Sequence, residues 1–246
     1  MSDQSTNIVC NGEMEIVKIT ADLYDEAIKL FIDNFIQKEN ICLATKLHSS
    51  PEGSQELQSV CRELLKENIS FAVRSIDNGE LAAIAINHLM SSQEEKATLC
   101  DFMNSLKTHE MICINNFLER VEIKSDIYNV LQIDCVMEIV FLSTSARLSK
   151  RGLASILTEY SINYARRLKE RLLSHEDEQP AENVRSLTPS AVCSLFTSLF
   201  TQRIGRKFGF EILVKVPFTD FSFDGKTFAE RIDPIHEYAT FEALRL

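Results

Sequence analysis

From residue 136 to 142 the chain is apolar apart from Glu138, rich in β-branched and aromatic residues and free of Gly and Pro, so it reads as a buried strand. A polar segment, 143–151, carries Arg147, Lys150 and Arg151. From Gly152 onward, apolar residues recur at helical spacing: Leu153, Ile156, Leu157, Tyr160, Tyr164, Leu168 and Leu172. Strand, basic loop and Gly-led helix follow one another, and the remaining elements are arranged around them. Residues 14–19 alternate like a first or edge strand. Thr20-Ala21-Asp22 then offers an N-cap to a helix with Leu23, Ala27, Leu30, Phe31 and Phe35 on its inner face, ending near 37–40. A second helix follows Pro51, with Leu57, Val60, Cys61, Leu64 and Leu65 as its stripe. Segments 69–75 and 81–90 flank Asp77-Asn78-Gly79, which predicts a hairpin. Residues 91–134 form a helical, loop-rich insert long enough to be a lid or wall. After a polar loop at 174–189 come a short buried strand (191–196), a helix (197–207) stopped by Gly209, a strand (210–217), a turn at Asp224-Gly225 and an alternating strand (236–246). This interleaving predicts an α/β fold, a mixed sheet with helices on both faces, as a single domain over 14–246 behind a flexible tail of residues 1–13.

Charge narrows the partners. The net charge is −10, from 26 basic and 36 acidic residues, which speaks against nucleic acid or an anionic membrane and suits a cationic small molecule. The longest apolar runs fall short of a bilayer span and the first residues lack the pattern of a signal peptide, so a cytoplasmic monomer is expected. Seven cysteines without close pairs suggest reduced thiols, and five scattered histidines give no metal spacing, so no metal is expected. A helix led by Gly152 has unpaired first-turn N–H groups and a positive dipole end, which suit a phosphate; an ordinary α/β joint with a Gly reads the same way. The basic loop is equally a solvated surface.

The strand ending Val140-Phe141-Leu142-Ser143-Thr144, the loop ending Arg151-Gly152-Leu153-Ala154, and Lys207-Phe208-Gly209-Phe210 together resemble the GCN5-related N-acetyltransferases (GNAT). Residues 37–41 (QKENI), the 91–134 insert and 197–210 are most similar to the insect arylalkylamine N-acetyltransferases within that superfamily. The resemblance implies the GNAT fold, with a splayed strand pair at the cofactor site, and acetyl-CoA as co-substrate. It implies that the backbone of Leu142, Ser143 and Thr144 pairs with the pantetheine. It also implies that the loop Ser149, Lys150, Arg151, Gly152, Leu153, Ala154 and Ser155 cradles the pyrophosphate. Ser149 departs from the long Gln or Arg of that pattern, and Lys150 and Arg151 are expected to compensate by charge. Glu39 matches the family's general base, though a carboxylate at a helix end is ordinarily just solvated. Thr197 and Thr201 match hydroxyls of the insect enzymes that can protonate the leaving thiolate, and threonine there is also a good helix cap. Many relatives carry a Tyr where this chain has Gly205, and the nearby Phe200 has no hydroxyl. The acceptor pocket is expected between the insert and residues 41–47, with Phe102, Met103, Phe117 and Tyr128 as walls or, equally, as core. The implied reaction is acetylation of a small primary amine, an arylalkylamine or biogenic monoamine. The alternatives are a polyamine or amino-acid acetyltransferase, and a non-catalytic acyl-CoA-binding or interaction module of the same fold.

Overall fold

The computed structural model describes residues 7–92, 102–173 and 179–246. The start expected for the insert helix, around residues 93–101, lies outside them. Ten strands are described: β1 (Ile8–Val9), β2 (Met14–Lys18), β3 (Phe71–Ser75), β4 (Leu81–Ser91), β5 (Cys135–Thr144), β6 (Ala191–Phe196), β7 (Glu211–Pro217), β8 (Ser222–Phe223), β9 (Lys226–Thr227) and β10 (Tyr238–Arg245). The helices are α1 (Tyr24–Leu30), α2 (Asn40–Ala44), α3 (Pro51–Leu65), α4 (His109–Ser125), α5 (Ile127–Leu131), α6 (Leu153–Lys169) and α7 (Leu199–Phe208). α1 runs on into a wider, π-type turn over Phe31–Ile36.

Eight strands make one sheet in the order β1-β2-β3-β4-β5-β6-β10-β7, while β8 and β9 form a separate hairpin closed by the Asp224-Gly225 turn, both residues at positive φ. The mixed sheet and interleaved helices match the expectation from sequence. The tail does not: Ile8 and Val9 pair with Glu15 and Met14, so the expected flexible stretch is structured from Ile8. In the β3–β4 connection only Gly79 takes positive φ, and its N–H bonds the Ser75 carbonyl at 3.0 Å.

The sheet divides two apolar layers. On one face α1, α3 and α4 bury Ala27, Leu57, Leu64, Ile114 and Phe117 against Ile84, Ile86 and Phe141. On the other, α6 buries Leu153, Leu157, Ile162 and Leu168, each worth about 1.5–3 kcal/mol. Among the described residues no helix is long and apolar enough to cross a membrane. Of the described cysteines, Cys42, Cys61, Cys135 and Cys193 are buried, and none of those described is in a disulfide.

An ionisable group sits within the centre of the sheet. Glu138 of β5 stands across the ladder from His88 of β4, with Cys193 beside it on β6. Burial pushes its carboxyl up to about 7, with Glu122 adding to the rise and His88 opposing it. A carboxyl raised in the folded state stabilises the fold below its unfolded value and loses that contribution as pH rises through about 7. Glu138→Gln is therefore expected to raise the melting temperature at pH 8 and to leave it unchanged near pH 5. A gain of equal size at both values counts against a buried, titrating Glu138.

Candidate active site at the strand fork

β5 pairs in parallel with β6 at Val136 with Ala191, Met137 with Val192 and Glu138 with Cys193, and no further β5–β6 pair follows among the described residues. Yet β5 continues to Thr144, still paired on its other side with β4. The two strands therefore fork. The Ser194 hydroxyl pins the fork's base by donating to the Ile139 carbonyl at 2.8 Å, and a bulge in the β4–β5 ladder lies next to it. Ser145 donates its N–H to the Ala82 carbonyl. In the antiparallel alternation this assigns the hydrogen bonds of Ser143 and Phe141 to β4 and turns the backbone groups of Leu142 and Thr144 toward the gap. Backbone groups so turned need partners. Of the three strand residues expected to meet a pantetheine, Leu142 and Thr144 turn their main chain to the gap, and Ser143 turns its main chain to β4. Its buried hydroxyl has no hydrogen-bond partner.

The far end of the fork is bridged. Glu39 is the N-cap of α2: one carboxylate oxygen accepts the Cys42 N–H at 2.9 Å, and the other accepts the Thr197 hydroxyl at 2.7 Å. Asn40, buried, donates its side-chain amide to the Thr197 carbonyl at 2.7 Å. Two residues 158 positions apart are thus joined where β6 ends. The Glu39 N–H bonds the Phe35 carbonyl, and the Phe35 ring stacks on Phe31 and meets Phe141 edge-on, with centroids 4.9 and 5.1 Å apart. A half-buried, acceptor-only carboxylate therefore stands one turn from the half-buried Phe35, where β6 ends.

Below the gap, the loop leads from β5 into α6. Asn34 of the π-type turn holds it by accepting the Ala146 N–H at 2.9 Å. Ser149, Lys150, Arg151 and Gly152 are exposed, whereas Leu153 is buried and anchors the helix. Lys150 and Gly152 both have positive φ, Gly152 at 76° as the helix N-cap, and no side chain caps the turn. The first-turn N–H groups of Leu153, Ala154 and Ser155 have no intrahelical carbonyl, which makes an anion cradle of backbone and dipole. Arg151 is paired with Glu13.

Two expectations for α7 need correction. Thr197 is not its cap. Ser198 is, accepting the Thr201 N–H at 3.1 Å, and Thr201 closes the box by accepting the Ser198 N–H on its hydroxyl oxygen at 3.4 Å. Thr201 is therefore tied within its own helix, and the structure brings Thr197 alone to Glu39. Gly205 faces the sheet: a Cβ there would lie 2.6 Å from the Phe196 ring and closer still to the Glu242 carboxyl. Glu242 is buried, its carboxyl pushed up by burial and accepting the Thr240 hydroxyl at 2.6 Å. Of the expected acceptor walls, Phe117 is core, packed edge-on to Phe221 at 4.7 Å, and burial pushes the Tyr128 phenol above its ordinary value. Residues that the sequence reading missed include Asn40, Ser194 and His236. His236 accepts the Leu199 N–H on Nδ1 at 3.1 Å beside a cavity of about 310 Å³ lined by Gln202, Glu237 and Tyr238. Burial lowers its pKa, against the pull of Asp233. Only Asn40, beside Glu39, carried any local signal.

No protein-family model and no curated protein matches the chain. Solved structures do. An arylalkylamine N-acetyltransferase from Aedes aegypti is similar at 22% identity and a TM-score of 0.77, over 94% of this chain and 98% of that one. The Drosophila melanogaster polyamine N-acetyltransferase that forms N-acetylagmatine is similar at 15% identity and 0.71, over 95% and 100%. The C-terminal condensation domain of Ebony, in complex with β-alanyl-dopamine, is similar at 16% identity and 0.62, over 95% and 99%. These likenesses show the fold.

The packing around Gly205 sets a test. Gly205→Ala gains about 1 kcal/mol in helix propensity, but a methyl forced against Phe196 and Glu242 costs about 1–3 kcal/mol. A lower urea midpoint with unchanged slope is expected; a higher midpoint would show that the sheet yields easily at this point.

Proposed function

We propose that this chain, which has the GNAT fold, is an acetyl-CoA-dependent N-acetyltransferase acting on a small primary amine, with an arylalkylamine as the acceptor. The observation that carries the reading is Glu39, held by Thr197 at the mouth of a fork whose strand backbone is left open. The Aedes neighbour supports an aromatic acceptor, and the half-buried Phe35 offers it a ring close to Glu39. The Drosophila neighbour's polyamine keeps a second, cationic acceptor class in view, and the net charge of −10 favours approach of either amine.

The fork fits the coenzyme. Open groups on Leu142 and Thr144 can pair with the amides of the pantetheine arm, and the Gly152-led turn can hold the pyrophosphate. The unpartnered Ser143 hydroxyl marks polar capacity that the chain itself leaves unused. Acetyl-CoA, as substrate, supplies a thioester that a neutral amine attacks. Alkylamines are protonated at neutral pH, with pKa about 10 as for lysine, so a group must take the proton. Glu39 accepts from the Cys42 N–H and the Thr197 hydroxyl, and these donors fix the direction of its remaining lone pairs. Thr197 is its positioning residue: its hydroxyl hydrogen points at Glu39, which leaves its oxygen as an acceptor rather than a donor to sulfur. Asn40 holds the Thr197 carbonyl and so keeps the bridge closed.

The test is a thiol-release assay with acetyl-CoA and a panel of arylalkylamines, polyamines and amino acids. Turnover is expected, highest with aryl-bearing amines. Glu39→Gln should lower kcat/KM by about 100-fold, and Thr197→Val by a smaller factor. Measured acetyl-CoA binding without turnover on any amine would instead identify a non-catalytic acyl-CoA-binding module.

A further inference from the structure

The cofactor loop lacks a long side chain at Ser149, and the expected replacements on the loop are not placed alike. Arg151 turns back to Glu13 in the β1–β2 connection, so its charge is already matched. A different cation reaches the cradle. Lys207, in the last turn of α7, places its ammonium 2.8 Å from the hydroxyl oxygen of Ser155. Ser155 is the third residue of α6, within the turn whose N–H groups are unpaired. The butyl stem crosses from one helix to the other with the ammonium 4.8 Å from the Phe208 ring centre, which limits where the charge can go.

Two physical points make this contact informative. The negative, C-terminal end of α7 favours the Lys207 charge, and its ammonium thereby reaches the positive, N-terminal end of α6, where an anion between the two would meet both. Arg147 and Lys150 crowd the same loop, in a chain whose overall charge is −10, so the local surplus is set against the trend of the molecule. Hydrogen-bond direction matters too. Lys207 donates to the Ser155 oxygen, so the Ser155 hydroxyl hydrogen stays available to a further acceptor, as do the remaining N–H bonds of the ammonium.

We propose that Lys207, with the Ser155 hydroxyl, is the cationic ligand of the coenzyme's phosphates and replaces from α7 what Ser149 cannot supply from the loop. The assignment rests on the reading that the Gly152-led turn holds coenzyme A. It makes Lys207 the contact that sets affinity for the nucleotide half of the coenzyme, and leaves Arg151 to fasten the loop to the N-terminal strands.

Calorimetric titration of the full chain with coenzyme A at several salt concentrations tests this. Lys207→Gln is expected to weaken binding by about tenfold or more, as for loss of a charge-assisted hydrogen bond, and to flatten the salt dependence. Lys207→Arg should restore most of the loss, and Arg151→Gln should cost less than the Lys207 change. The side chain of Lys207 is exposed, so the melting temperature of the ligand-free variant should not move. Unchanged affinity in Lys207→Gln, or a larger loss in Arg151→Gln, overturns the assignment while leaving the cradle in place. A wild-type chain that binds no coenzyme A overturns the cradle reading and this assignment with it.

Discussion

Every part of the candidate site depends on a pairing that two parallel strands give up. β5 and β6 share hydrogen bonds as far as Glu138 and Cys193 and then separate, although β5 runs six residues further. A strand interior rarely leaves main-chain groups without partners, because each one buried and unmatched is costly. The fork is held from both ends. Ser194 pins the base to Ile139, and the Glu39–Thr197–Asn40 bridge ties the separated end of β6 to the segment after α1. The π-type turn over Phe31–Ile36 gives that segment its place, with its rings on Phe141 and Asn34 on the loop beyond. Opening, cradle and carboxylate are consequences of one interrupted ladder.

Much of this frame was legible in the residues. A seven-residue apolar run, a basic loop and a glycine leading a periodic helix specify strand, turn and helix by local rules, and their bounds agree with β5 and α6 closely. The hairpin at Asn78-Gly79 was legible for the same reason: a residue free to take positive φ is needed there, and Gly79 supplies it. The resemblance of short motifs placed Glu39 and Thr197 at one site. No periodicity could have done so, since their contact spans 158 positions.

What was not legible depends on single-residue offsets and on neighbours distant in sequence. Thr197 and Ser198 are both good caps, and which one caps α7 decides whether Thr201 is free. The helix begins one residue later than its composition alone requires, and that offset releases the Thr197 hydroxyl to Glu39. Gly205 looked like the loss of a catalytic side chain; it is a close approach of α7 to Phe196 and Glu242 that leaves no room for one. Phe117 and Tyr128 looked like pocket walls because aromatic residues suit both pocket and core. Their partners, Phe221 for the one and the Glu138 and Cys193 neighbourhood for the other, are fixed by packing of the insert.

The position of β10 bears on how the molecule comes together. It follows every other described strand in the sequence, yet it lies between β6 and β7 and pairs with both. While the chain is being synthesised, β6 and β7 are present but cannot meet, each exposing an edge until the final strand arrives to join them. Contacts of such separation form late and slowly, and unpaired edges invite pairing with other chains in the interval. Thr197 is held at the end of β6, so the bridge to Glu39 becomes secure only when that last strand is in place. Closure of the sheet and completion of the site would then be a single event, set by when residues 238–245 reach their place.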